Sequence, residues 1–209
     1  PIEVRAFALW TASKLLERVQ AMSQIIENIE DPTLGKLVER WFAWRTGDAY
    51  PARKSIEPLE LGPALPFVWI CQREPDHDCY RYHLVGEAVN TLYGQGLRGR
   101  SLKDFLSART AALLKERLNQ CLESGFLVHT VAPQTLHDKR HVIVQRLFLP
   151  MTGPSGDLDT ILGCTKVTDT IPDNARQNTQ SHEGTYASDG TCLKKGSSIL
   201  TMYSSDQLY

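Results

Sequence analysis

Among the residues whose types and spacing could do chemistry, Gly94-Gln-Gly96-Leu-Arg-Gly99 matches G-x-G-x-x-G. In a nucleotide-binding fold such glycines follow a strand directly and let the backbone approach a pyrophosphate at a helix N-terminus. Here the preceding segment reads as helical and only a short turn follows, so the glycines serve a connecting loop. His137 and His141 have a spacing that would suit a metal on a helix, but they flank a hairpin turn, and no cysteine or carboxylate pair completes a tetrahedral set. No metal is expected. The chain contains no G-x-S-x-G elbow, no H-E-x-x-H helix and no phosphate-binding P-loop, so no residue is assigned as catalytic. Five cysteines (Cys71, Cys79, Cys121, Cys164 and Cys192) are odd in number, form no C-x-x-C pair and read as reduced thiols of a cytoplasmic protein.

Charge excludes further classes. Lys plus Arg number 23 against 24 Asp plus Glu, a net charge of −1, so no global field recruits nucleic acid or an anionic membrane. The basic run Arg98, Arg100, Lys103 and Arg109 reads as a solvated face. Charged residues interrupt the first 30 positions, leaving neither a signal peptide nor a membrane-inserting span.

The elements that must position any site follow from periodicity. Ala8, Ala12, Leu15, Val19, Met22, Ile26 and Ile29 fall at heptad a/d spacing, which predicts an N-terminal amphipathic helix over 1–30. It is read either as a helix laid on the neighbouring domain or as a homodimer seam through Leu15, Val19, Met22, Ile26 and Ile29. Asp31-Pro32 starts a second helix, and Gly47 is placed to end it. Pro51, Pro58, Pro63 and Pro66 make the next stretch irregular. Strands are predicted over 67–71 and 79–85, short helical pieces over 87–93 and 102–106, and a longer helix over 110–123 stopped by Gly125. Three more strands, 126–136, 140–149 and 160–168, complete a sheet. Residues 170–209 are polar, lack periodicity and read as a flexible C-terminal tail. Helices set between antiparallel strand blocks give an α+β fold.

Several spaced motifs then look familiar. Trp41, Arg45, Gly47, Pro51, Arg53, Ile56, Pro58, Leu65 and Pro66 form W-x3-R-x-G-x3-P-x-R-x2-I-x-P-x6-L-P. They are followed by Tyr82-His-Leu-Val-Gly86, Leu97-Arg-Gly-Arg-Ser101 and Arg146-Leu-Phe-Leu-Pro150. Together these resemble a bacterial family of compact, often stand-alone PAS domains, over residues 34–167. The resemblance implies a PAS-like five-stranded antiparallel sheet with short connecting helices over 31–169, preceded by the long N-terminal helix. In that pattern an arginine is usual where His83 stands and a glutamate where Gln145 stands; if the two pair in relatives, the pair is lost here.

PAS domains act as sensors and docking modules, so the resemblance implies a ligand cavity between the sheet and the connecting helices. Candidate lining residues are Trp69, Tyr82, Leu84, Val89, Leu92, Tyr93, Val128, Val144 and Arg146, with faces that a one-residue register change would invert. No cofactor is implied. The helix most suited to a haem ligand, 110–123, has no histidine, and Cys121 lies in Asn-Gln-Cys-Leu-Glu rather than the Asn-Cys-Arg setting of flavin photochemistry. The expected function is a non-catalytic PAS regulator in bacterial signalling, working through signalling partner proteins and a small-molecule ligand. The alternatives are a dedicated small-molecule receptor or a small enzyme on the same scaffold. No kinase, cyclase or DNA-binding module is recognised in the 209 residues, so output is expected to pass through another protein.

Overall fold

The computed structural model describes residues 16, 19–20, 22–23, 25–27, 29–46, 49–74, 78–136 and 140–170, together with the backbone of 181–186 and 192–198. Asp31 and Pro32 begin the first complete helix, α1 (Pro32–Ala43). The Asp31 carboxylate accepts the N–H groups of Thr33 at 2.8 Å and Leu34 at 3.3 Å, and Pro32 sits where a missing donor costs nothing. The helix ends short of Gly47, which lies outside the described residues. Trp44 closes the last turn by donating its N–H to the Arg40 carbonyl, and its indole donates to Glu60 at 2.6 Å. The prolines that follow hold the chain in tight 3-10 turns, Arg53–Ser55 and Pro58–Phe67, the second broken at Gly62.

β1 (Val68–Glu74) and β2 (Cys79–Val85) form an antiparallel hairpin. The chain then crosses over through α2 (Glu87–Tyr93), a 3-10 turn at Leu102–Asp104 and α3 (Ala108–Ser124). The Ser101–Asp104 capping box starts the turn and Ser107 caps α3. β3 (Leu127–Thr135), β4 (His141–Thr152) and β5 (Leu158–Thr170) follow, and the order β2-β1-β5-β4-β3 makes the expected five-stranded antiparallel sheet. Residues 75–77 and 137–139, where the sequence predicts turns and which include His137, lie outside the described residues.

Two strands extend this sheet. β6 (Ser181–Tyr186) pairs with β3 and β7 (Cys192–Ser198) pairs with β6, both antiparallel, giving seven strands. Reading 170–209 as a tail without regular structure does not anticipate this hairpin. Extending a sheet edge uses backbone donors and acceptors and needs no apolar repeat, so composition does not display it. The flexibility expected of 171–180, 187–191 and 199–209 concerns residues outside those described.

Alternation along the strands gives the sheet two faces. Val68, Ile70, Leu127, Leu147, Leu149, Met151, Leu162 and Cys164 point toward α1, where they meet Leu34, Leu37, Val38, Trp41 and Phe42. Trp69, Cys71, Val128, Phe148 and Ile161 point the other way, toward Val89 of α2 and Ala111, Leu118, Cys121 and Leu122 of α3. The described part of the N-terminal segment, helical at residues 16, 19–20, 22–23 and 25–26, joins the α1 face. Ile25 and Ile29 are buried there and Met22 and Ile26 pack beside them, so intrachain contacts account for these members of the heptad seam. Leu16 and Val19 are exposed, and Leu15 lies outside the described residues. Among the described residues no helix is long and apolar enough to cross a membrane.

Candidate ligand-binding site

The α1 face is closed by side chains whose polar groups are matched. Trp41 is fully buried and donates its indole N–H to the Pro150 carbonyl at 2.9 Å. Arg45 stacks over the rings of Trp41, Phe42 and Tyr50 at 5.2, 5.7 and 6.0 Å and donates to the Ala49 carbonyl. Tyr50 donates its hydroxyl to the Gly125 carbonyl at 3.2 Å. Lys166 of β5 binds Asp31 at 2.7 Å and reaches Thr33, locking the start of α1 to the sheet. Burial alone would raise the Asp31 carboxyl, but the Lys166 ammonium and the capped N–H groups outweigh it and hold the carboxyl below its ordinary value. Buried His129 shares a 3.3 Å hydrogen bond with Gln145 on this face.

The α2/α3 face is built differently, around a chain of edge-to-face aromatic contacts. Trp69 lies 5.4 Å from Tyr82 and 5.7 Å from Phe148; Phe105 lies 5.7 Å from Tyr82 and 5.2 Å from Tyr93. The indole of Trp69 crosses β5 at Gly163, where any Cβ would fall 2.1 Å from the ring, so only glycine admits it. Its N–H is donated to Thr165 Oγ1 at 2.9 Å. Two tyrosines of β2 point to this face and meet different fates. Tyr80 donates its hydroxyl to Asn119 Oδ1 of α3 at 2.7 Å. Tyr82 is 4% exposed, and among the described residues its hydroxyl has no hydrogen-bond partner. Burial pushes the Tyr82 phenol well above its ordinary value, so it is a neutral donor.

Arg146 of β4 lies on the same face by alternation between Val144 and Phe148. Its guanidinium donates to Gln134 Oε1 of β3, and its charge acts on the Tyr82 phenol. The connecting loop holds Tyr82 from behind. Gly99 donates its N–H to the Tyr82 carbonyl at 2.7 Å and Tyr82 donates to the Arg100 carbonyl at 3.0 Å. The G-x-G-x-x-G stretch therefore ends α2, with Gly94 in the left-handed conformation at φ 66°, and ties the loop to β2.

Most sequence-derived lining candidates meet here. Trp69, Tyr82, Val89 and Val128 share one cluster, Leu92 and Val144 an adjoining one, and Tyr93 packs against both. Leu84 does not join them. A register shift in the β1–β2 pairing places Cys71 opposite Tyr82 and Ile70 opposite Leu84, leaving His83 as an extra residue. This bulge turns Leu84 to the α1 face and Val85 to the α2/α3 face. His83 of β2 and Gln145 of β4 stand on strands that are not neighbours. β1 and β5 separate their strands, roughly 14 Å across three strand spacings of about 4.8 Å.

Sequence reasoning missed Phe105, Phe148 and Thr165. Phe148 shares strand parity with Val144 and Arg146, a signal that could have found it, whereas Phe105 follows a single 3-10 turn and carries none. Cys71, Cys79, Cys121 and Cys164 are unpaired thiols. Cys71, Cys121 and Cys164 are buried, and burial raises all three, Cys164 to about 12, which makes them poor nucleophiles.

A family model described as a PAS domain matches residues 29–166. No curated protein matches the sequence. Among solved structures, VqmA bound to DPO is 17% identical with a TM-score of 0.43, over 56% of this chain and 57% of that one. A Vibrio cholerae VqmA dimer in the absence of target DNA gives 17% identity and a TM-score of 0.43, over 57% of this chain and 54% of that one. The chain thus spans little more than half the length of these VqmA chains. The PAS domain of a Colwellia psychrerythraea protein is 12% identical with a TM-score of 0.37, over 51% of this chain and 92% of that one.

Proposed function

Because the chain belongs to the PAS domain family, a family of sensory and regulatory domains, we propose that it is a non-catalytic sensor whose α2/α3 face holds a small ligand. The observation that supports this most is Tyr82. A buried hydroxyl without a partner costs about 1–3 kcal/mol, and a site that receives a ligand group is a physical reason to keep one. The opposite face offers the output. Lys166, Asp31 and Thr33 join β5 to the start of α1, so a change in the sheet bears directly on the junction with the N-terminal helix. That helix then acts on a signalling partner or on a second copy of the chain through the exposed side of Leu16 and Val19.

Native mass spectrometry of the full chain from its own cells, with thermal-shift screening against a broad metabolite panel, tests the sensor reading. A retained or stabilising small molecule is expected. A panel without any stabilising compound, and a protein that carries none, overturns it. Homodimer formation is tested by sedimentation of the L16E/V19E double variant, which is expected to shift the intact chain from dimer to monomer. An unchanged mass removes those residues from the interface.

A further inference from the structure

We propose that the β6–β7 hairpin is a detachable strap over the outer edge of β3, and that the strand which takes its place is the same hairpin of a second copy of the chain. The inference goes beyond the sensor reading and needs no ligand. It starts from how the hairpin is attached. Among the described residues β7 pairs with β6 alone, and β6 pairs with β7 and β3. One row of register, from Leu127 opposite Tyr186 to Val131 opposite His182, therefore ties both strands to the sheet. Ser181-His-Glu-Gly-Thr-Tyr186 and Cys192-Leu-Lys-Lys-Gly-Ser-Ser198 each carry a glycine inside the strand, Gly184 and Gly196, and show no alternation of apolar residues. A two-stranded hairpin of this kind is marginal on its own. β3 is held on its other side by β4 from Val128 to Thr135, and Leu127, Val128 and His129 are buried, so β3 stays in place when the hairpin leaves. Opening is then a local step well below global unfolding.

The edge that opening bares is Leu127-Val-His-Thr-Val131, rich in β-branched and apolar residues, whose freed N–H and C=O groups are a template for another strand. The template ends two residues before Pro133, which has no N–H to offer. A replacement strand must match this short register, and the chain itself supplies one that does. In a second copy the pairing from His182 to Tyr186 is the same, so exchange between copies restores the backbone hydrogen bonds of the closed strap. The connection permits it. β4 and β3 lie between β5 and β6, roughly 14 Å over three strand spacings of about 4.8 Å. Residues 171–180 make the join, and ten residues reach about 33 Å when extended, more than closure within one copy requires.

Cysteine pairs in this register test the proposal on the full chain, in the L16E/V19E background so that those residues do not bring copies together. Directly opposite residues have Cα atoms about 4.5 or 5.5 Å apart, within the span a disulfide bridges. T130C/E183C in one chain should close within that chain in dilute solution. T130C and E183C on separate chains, mixed at high concentration and oxidised, should form the 130–183 link between copies, identified by mass spectrometry of the linked peptide. T130C mixed with T185C, two residues out of register, should give several-fold less. V131C/H182C, the adjacent pair of the other hydrogen-bonding type, repeats the test if the first pair does not close. In hydrogen exchange of the unaltered chain, amides of β6 and β7 should exchange about 100-fold or more faster than those of β4 and β5. Equal protection, or neither pair closing within a chain, overturns the strap. Pairs that close within a chain but link separate copies no more than the out-of-register pair overturn the exchange. The sensor reading stands whichever result is obtained.

Discussion

The two faces of one sheet are made from the same strands and are finished in opposite ways. Toward α1, polar groups drawn into the core have partners: Trp41 has the Pro150 carbonyl, Asp31 has Lys166 and two N–H groups, and Tyr50 has the Gly125 carbonyl. Toward α2 and α3, aromatic rings meet edge to face, a tyrosine hydroxyl is buried without a described partner, and the described partner of an arginine is a neutral glutamine. Satisfied polar groups fix one arrangement, whereas unsatisfied ones lower stability and leave binding free energy for a second molecule. The difference separates a face whose described polar groups are matched from the face to which the proposed ligand site is assigned.

Substitutions can break or sharpen that contrast. The largest effect is expected on the α1 face, where W41A removes a fully buried indole and strands the Pro150 carbonyl. A loss of about 3–5 kcal/mol in denaturant unfolding is expected. A loss below about 1 kcal/mol would mean that this face does not carry the fold.

A smaller and more pointed comparison uses the two tyrosines of β2. Y80F leaves Asn119 without its donor and should cost about 1 kcal/mol. Y82F removes a hydroxyl that no described residue engages, so it should be neutral or slightly stabilising in the free protein. Equal losses from both variants would show that the Tyr82 hydroxyl is already satisfied, and the contrast between the faces would fall.

The smallest effect concerns His129. Burial is the largest influence and pulls its folded pKa below the ordinary histidine value of about 6.5, with Gln145 and Glu30 opposing it only in part. The unfolded chain therefore takes up a proton that the folded chain refuses as the pH falls below about 6.5. Stability should be full above that value and decline below it until the folded imidazole also protonates. H129Q should flatten this decline in thermal melts between pH 7 and 5; an unchanged slope would assign the dependence to His83, whose pKa is lowered too.

Local order was legible in the sequence wherever one residue type has one physical consequence. Asp31-Pro32 can do little but start a helix, Gly125 ends α3 in the left-handed conformation, and β2 occupies the span its alternation predicts. Alternation also brought Trp69, Tyr82 and Val128 to one face. Three features needed the folded chain. A bulge at His83 reversed Leu84, because one extra residue inverts every side chain beyond it and periodicity does not register it. The β6–β7 hairpin joined an edge through backbone hydrogen bonds, which composition does not encode. The crossing of Trp69 over Gly163 to Thr165 joins β1 to β5, which only strand pairing brings into register. Helix starts and strand parity are set by neighbours along the chain. Which hydroxyl is left without a partner depends on neighbours far apart in it, and only tertiary packing decides that.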